Sequence, residues 1–241
     1  MEKINLTKLI AQRSHHSRRK AEALIREGLV KVDGVLAKLG DKFNDNCKIE
    51  INNKKIETKL EKKIYLKINK PTGYICTNKN FLREKNIFSL IPLTEKLFSV
   101  GRLDKDSCGL IILTNDGDLN YQLTHPKFEH QKTYLVKIYS NKKLEDSMFI
   151  REIIKYFKGG INIEEKTLAK AKNVEYLGNN NFKIILTEGK KRQIRKMFAF
   201  FDLSVKELKR IDFAKIKLED LKTGEWKFLS PKEINLLKNI K

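Results

Sequence analysis

The stretch Ser99-Val100-Gly101-Arg102-Leu103-Asp104-Lys105-Asp106-Ser107-Cys108-Gly109-Leu110-Ile111-Ile112-Leu113-Thr114-Asn115-Asp116-Gly117 decides how the larger part of this chain is read. Gly109 to Thr114 is a short apolar run bounded by turn residues, which reads as a buried strand. Asn115-Asp116-Gly117 reads as the turn that ends it. Just ahead of the strand, Arg102, Asp104, Lys105 and Asp106 crowd four charges between two glycines. A charged loop feeding a core strand sets reactive groups at the rim of a rigid sheet. The same cluster also reads as a solvated loop carrying a surface Asp/Arg pair.

The surrounding chain narrows the choice. Its 241 residues suffice for one large domain or two smaller ones with real cores. With 51 basic and 30 acidic residues the formal charge is +21, and the pI is near 9.8. That favours a polyanionic partner, nucleic acid before membrane. Only ten of the basic residues are arginine. A genome poor in G and C gives the same lysine bias, although the excess over acids is too large to assign to that alone. The three cysteines, Cys47, Cys76 and Cys108, lie far apart without metal or disulfide spacing. They point to a reducing cytoplasm. No apolar run approaches membrane-spanning length, and no signal-peptide core is visible at the N-terminus.

Leu6, Leu9 and Ile10 repeat at helical spacing over Asn5–Gln12. Ser17 then reads as the N-cap of a helix running to Gly28. Arg18-Arg19-Lys20 fills its first turn, where cations oppose the helix dipole. A bound phosphate would turn that penalty into a gain. Leu29-Val30-Lys31-Val32 reads as a strand, Asp33-Gly34 as a turn, and Lys48 to Ile51 as a second strand. The pattern Ser-Arg-Arg-Lys-Ala-Glu-Ala-Leu-Ile-Arg-Glu-Gly-Leu-Val-Lys-Val-Asp-Gly resembles the S4 RNA-binding domain over about residues 3–50. Asp33 stands where that family usually has Asn. The resemblance implies RNA binding and no chemistry. Residues 58–63, charged and without apolar periodicity, read as a linker.

Beyond the linker, Ile64 to Ile68 alternates like a strand, and Asn69-Lys70-Pro71-Thr72-Gly73 reads as a turn. A short helix is read around Ile87–Leu90 and another over Asp118–Leu123. Lys132-Thr133-Tyr134-Leu135-Val136-Lys137-Ile138 reads as a strand, with Tyr134 a core tyrosine on its own evidence. Leu144 to Phe157 reads as an amphipathic helix. Val174–Tyr176 and Phe182–Leu186 read as neighbouring strands. In Thr187-Glu188-Gly189-Lys190-Lys191-Arg192-Gln193-Ile194-Arg195-Lys196-Met197-Phe198, one helical face is apolar (Ile194, Met197, Phe198, Phe201). Another gathers Lys191, Arg192 and Arg195. Gly224-Glu225-Trp226 and a capping-box helix start at Ser230-Pro231-Lys232-Glu233 close the chain.

Gly-Arg-Leu-Asp, Asp-Ser-Cys-Gly-Leu and Leu-Thr-Asn-Asp-Gly resemble the active-site segment of pseudouridine synthases, most closely the RsuA type that modifies ribosomal RNA. Lys-Pro-x-Gly, Lys-x-Tyr, Glu-Gly-x-x-Arg-Gln-Ile-Arg-Lys-Met and Gly-Glu-Trp resemble the other motifs of that family, in order along the chain. Within it the look is closest to the RluB/RluF large-subunit branch. The resemblance implies an α+β protein: an S4 domain at 1–60, then a catalytic domain at 61–241 with a mixed, mainly antiparallel sheet flanked by helices.

It further implies that Asp104 is the nucleophile and that Arg195 pairs with Asp104 to hold its carboxylate charged. Tyr134 stacks on the uracil and takes the proton from its C5. Arg102, Arg18, Arg19, Lys20, Lys191 and Arg192 are read as RNA contacts. No metal or organic cofactor is required, because bonds break and form within one substrate. The implied enzyme is a cytoplasmic monomer acting on large-subunit (23S) rRNA, with 16S rRNA or tRNA as the alternative substrate. Two other classes compete: an inactive S4-type RNA-binding protein of ribosome assembly, and a hydrolase using Asp104 and Asp106 as a carboxylate pair. Release of free uracil would mark the hydrolase.

Overall fold

The computed structural model describes residues 3–14, 16–56, 62–79, 81–139 and 146–240. The chain separates into two compact units, Met1–Lys62 and Lys63–Lys241. Most of the stretch read as a linker, residues 58–61, lies outside the described residues.

In the first unit, helix α1 (Leu6–Arg13) starts where Asn5 Oδ1 accepts the Thr7 N–H at 3.0 Å. Helix α2 (Arg18–Arg26) starts where Ser17 Oγ accepts the Lys20 N–H at 3.2 Å. Leu6, Leu9, Ile10, Ala21, Leu24 and Ile25 turn one apolar face onto Val30, Val32, Ile49 and Ile51 of a four-stranded sheet. Asp33 and Gly34 carry φ of 50° and 84° in the hairpin between Val30–Val32 and Val35–Leu36. Aspartate tolerates the left-handed region nearly as asparagine does, so the departure at this turn leaves the hairpin intact.

The second unit is organised on a nine-stranded sheet. We number its strands β1 (Tyr65–Lys70), β2 (Phe98–Val100), β3 (Cys108–Thr114), β4 (Lys132–Tyr139), β5 (Asn173–Gly178), β6 (Asn181–Leu186), β7 (Ser204–Phe213), β8 (Ile216–Lys217) and β9 (Trp226–Phe228). The main order is β5-β6-β4-β7-β3-β1-β9, with β2 on β3 and β8 on β7. Every pairing is antiparallel except β3 with β7. Ile111 and Leu113 point into one core, Leu110 and Ile112 into the other, so the apolar run is buried on both faces. Helices α4 (Ser147–Gly159) and α5 (Gln193–Ala199) cover the first face through Ile153, Phe157, Ile194, Met197 and Phe198. Helices α3 (Gly117–Thr124) and α6 (Pro231–Lys238) cover the second through Leu119, Leu123 and Leu237. This is the α+β architecture that the sequence implies.

Several local readings change. Asn115-Asp116-Gly117 is a helix start rather than a turn, because Asp116 Oδ1 accepts the Asp118 and Leu119 N–H groups. β1 runs on through Asn69 and Lys70, both buried and paired with Leu110 and Gly109. The amphipathic helix begins at Ser147, capped by Asp146, and Leu144 lies outside the described residues. Lys191 and Arg192 precede α5 instead of lying on its face. The ten-residue strand β7, central to the sheet, has no counterpart in the sequence reading.

Gly109 explains how β3 and β7 run side by side. Its φ is +104°, and a Cβ there would sit 2.2 Å from the Arg210 carbonyl oxygen. Only glycine permits that approach. Arg210, 1% exposed, then donates from Nε to the Leu110 carbonyl at 2.8 Å and lies over the Phe213 ring.

Candidate active site

The loop between β2 and β3 carries Asp104. Its backbone makes a tight turn in which the Ser107 N–H donates to the Asp104 carbonyl at 3.1 Å. Leu103 anchors the loop in the core, Arg102 is exposed, and Asp104 is half-buried. Among the described residues the Asp104 carboxylate has neither a hydrogen bond nor an ion pair.

Two cations from opposite ends of the domain hold this loop. From below, Lys70 is fully buried, and its Nζ donates to the carbonyls of Ser107 at 2.5 Å and Pro71 at 3.0 Å. It also lies 3.5 Å from the Lys105 carbonyl. Burial pushes the Lys70 ammonium below its usual range, and Cys76, Cys108, Asp106 and Asp104 act against that. The Gly73 N–H donates to the Lys105 carbonyl at 2.7 Å, and Cys76 Sγ reaches the Leu103 carbonyl at 3.5 Å. The Lys-Pro-x-Gly stretch is thus a cradle for the Asp104 loop. The Gly-Glu-Trp stretch braces the cradle in turn. Asn69 donates its N–H to the Glu225 carbonyl and accepts from the Gly224 N–H, while Trp226 pairs with Ile68.

From the other side comes Arg195 on α5. Its Nη2 donates to the Asp106 carbonyl and its Nη1 to the Val205 carbonyl, each at 2.9 Å. Its Nε lies 3.2 Å from Asp106 Oδ2, an ion-pair distance without hydrogen-bond alignment. The expected Asp104–Arg195 pair is therefore corrected: the carboxylate on Arg195 is that of Asp106. The turn at 104–107 turns the Asp106 side chain toward α5, and Asp104 is left clear. Arg192 adds a two-pronged contact, Nη1 to Asp106 Oδ1 at 3.2 Å and Nη2 to Oδ2 at 3.0 Å. Burial works to raise the Asp106 carboxyl. The Arg192 hydrogen bonds and the charges of Arg195 and Arg192 outweigh it and hold the carboxyl below its usual range. A carboxyl so tied to two guanidiniums is a poor proton donor, which argues against an Asp104/Asp106 acid–base pair.

The approach to α5 is shaped by Glu188 and Gln193. Glu188 accepts from Gln193 Nε2 at 2.8 Å and from Lys190 Nζ at 2.6 Å. Gln193, 3% exposed, also accepts the Lys190 N–H at 3.0 Å. Arg192 follows in the left-handed region at φ +54°, with no side-chain cap for α5. That conformation costs a non-glycine residue roughly 1–2 kcal/mol, and it accompanies the aim of the guanidinium at Asp106. Lys191 is exposed.

Tyr134 is 8% exposed and packs in the first core, paired with Ile184 on β6 and Arg210 on β7. A bulge between Thr133 and Tyr134 offsets it from Lys132. Burial, and then the charge of Arg210, push the Lys132 ammonium down to about 8, against the pull of Glu188. Sequence reasoning missed Lys70 and Asp106 as organisers of the loop. The signal for Lys70 was its place directly before Pro71 at the end of the first strand of the unit; Asp106 carried none beyond its charge. Among the described residues no three His, Cys, Asp or Glu side chains stand together as a metal site, and no helix is long and apolar enough to cross a membrane.

Residues 64–200 match the model of the RNA pseudouridylate synthase family, and residues 5–46 match the S4 domain. The chain belongs to the RNA pseudouridylate synthase family. It is 38% identical to the ribosomal large subunit pseudouridine synthase B of Bacillus subtilis, over 97% of this chain and 95% of that protein. It is 33% identical to the dual-specificity RNA pseudouridine synthase RluF of Escherichia coli K12, over 96% of this chain and 77% of that one. A solved pseudouridylate synthase structure aligns over 97% of this chain and 99% of its own, at 31% identity and a TM-score of 0.68. The chain is thus an isomerase of RNA with an S4 domain ahead of its catalytic domain.

In the first unit Arg18, Arg19 and Lys20 are all exposed in the first turn of α2, which holds no acidic residue. Three cations at a helix start, whose N–H groups carry the positive end of the helix dipole, form an arrangement that an anion would stabilise. Neutralising all three to Gln should flatten the salt dependence of rRNA binding by up to about three phosphate contacts. The measurement is a binding titration across salt; an unchanged slope would mean the cluster serves solvation alone.

Proposed function

We propose that this chain converts one uridine of large-subunit ribosomal RNA to pseudouridine, with Asp104 as the nucleophile. The observation that carries the proposal is the unpartnered, half-buried Asp104 carboxylate on a loop pinned by Lys70 and Arg195. A carboxylate without a directed partner is available to attack, and the rigid loop keeps it in place. The target nucleotide must leave the helix, at a few kcal/mol of unstacking. Exposed Arg102, two residues before Asp104, suits the flipped nucleotide's phosphate or the space it vacates. Covalent attachment through Asp104 lets the N1–C1′ bond break, the base turn, and a C5–C1′ bond form. The proton leaving C5 is made good by one gained at N1, so the product is an isomer. Tyr134 forms the wall on which the uracil stacks, a contact worth about 1–3 kcal/mol per base, and stands ready for the C5 proton.

The large-subunit target rests on the likeness to the Bacillus subtilis and Escherichia coli enzymes. Small-subunit rRNA and tRNA are the competing substrates, and the proposed state is a cytoplasmic monomer. Mapping pseudouridine in 23S, 16S and transfer RNA from a deletion strain should show one modification missing from 23S rRNA and restored by the gene. A full complement of 23S pseudouridines, with the loss elsewhere, would overturn the target.

A further inference from the structure

The arginine pair on Asp106 has a consequence beyond the nucleophile. Among the described residues Asp106 is the one acid that meets both Arg192 and Arg195, and it does so from the same tight turn as Asp104. The contacts join two segments 86 and 89 residues apart in sequence. Its carboxylate is half-exposed, as is the Arg192 guanidinium, whereas the Arg195 side chain is only 13% exposed. Arg192 is therefore the member of the triad that an RNA phosphate can reach. It reaches Asp106 from a left-handed backbone position where an uncapped helix begins. Arg195 is fixed independently by the Val205 and Asp106 carbonyls. The Asp106 carboxylate thus has two separable effects. It draws the turn onto α5, and it occupies a guanidinium that would otherwise bind RNA.

We propose that Asp106 is a positioning residue for pseudouridine formation, setting the loop that carries Asp104 while keeping Arg192 off the RNA backbone. The inference rests on the reading of Asp104 as nucleophile. A carboxylate that only solubilised the surface would leave both turnover and salt dependence unchanged when replaced. One that positions the loop changes the chemical step, because displacement of a reacting group by about 1 Å can cost about a hundredfold in rate.

The test uses the full chain and its rRNA substrate, comparing wild type with Asp106→Ala, Asp106→Glu, Arg192→Gln and Asp104→Asn. Melting temperatures first establish that each is folded; if Asp106→Ala is not, Arg192→Gln breaks the same pair from the other side. Asp106→Ala should lower kcat at least tenfold without raising KM. Its RNA-binding salt slope should steepen by about one contact, since Arg192 is released to a phosphate. Asp106→Glu should restore part of kcat and the native slope. Arg192→Gln should lower kcat without steepening the slope. If kcat of Asp106→Ala stays within twofold of wild type while Asp104→Asn is inactive, the positioning role falls and the nucleophile stands. If Asp104→Asn turns over, the underlying reading of the site has failed instead.

Discussion

Purified Asp104→Asn protein is expected to bind rRNA with close to native affinity and to form no pseudouridine. Asparagine keeps the shape of aspartate, and the Asp104 carboxylate makes no directed contact among the described residues. Surface-type substitutions of this sort usually move stability by no more than about 0.5 kcal/mol. The melting temperature should therefore stay at the native value. Losing one negative charge beside Lys70 and Arg192, both of which feel Asp104, can only help an anionic ligand bind. What asparagine cannot do is attack carbon and leave again. Removing a covalent nucleophile elsewhere costs on the order of a millionfold in kcat, so turnover should fall by at least about 10⁴-fold. Asp104→Glu should be nearly as impaired, since the extra methylene displaces the carboxylate on a loop that Lys70 and Arg195 prevent from following. Pseudouridine counted by mass spectrometry after single-turnover incubation is the direct readout. Measurable multiple turnover by Asp104→Asn would sink the assignment.

The sequence shows some of these features more readily than others, for a physical reason. β3 is legible because both its faces are apolar, and a run such as Leu110-Ile111-Ile112-Leu113 needs no partner to be recognised. Helix starts at Ser17 and Ser230 are legible because capping is local; Ser230 and Glu233 satisfy each other's N–H groups within one turn. β7 is not legible, because Ser-Val-Lys-Glu-Leu-Lys-Arg-Ile-Asp-Phe carries five charges in ten residues. Its Arg210 is buried because Gly109 and Leu110, about a hundred residues earlier in the chain, are brought against it, and Phe213 of the same strand lies beside it. Lys67 is a similar case, a fully buried ammonium paired to Glu219 and Glu233 at 2.9 and 2.8 Å. Hydrophobic periodicity reports which residues avoid water; it does not report which ions will meet. That is why the family motifs pointed to Asp104 and Arg195, while geometry was needed to show that Asp106, on the same turn, is the carboxylate that meets Arg195.

That geometry makes Arg195 the second residue whose loss should abolish activity. Arg195→Met keeps the length of the side chain and its apolar contact along α5 but removes three polar attachments. The Asp106 carbonyl, the Asp106 carboxylate and the Val205 carbonyl lose their common partner. The turn bearing Asp104 then keeps, on the α5 side, only the half-exposed Arg192 contact to Asp106, besides the Lys70 cradle. A fall in kcat of about a hundredfold or more follows from such loosening alone. The KM for RNA should change little, because this guanidinium is mostly buried and committed to protein. Arg195→Lys should not rescue. An ammonium is a single point of charge, unable to span Val205 and Asp106 at once as a planar guanidinium does. The double mutant Asp104→Asn/Arg195→Met should be little slower than Asp104→Asn by itself, since residues acting as one unit are not additive. Single-turnover rates for the four proteins complete the cycle. If the two losses multiply fully, Arg195 acts apart from the Asp104 loop, and its place in this site has to be withdrawn.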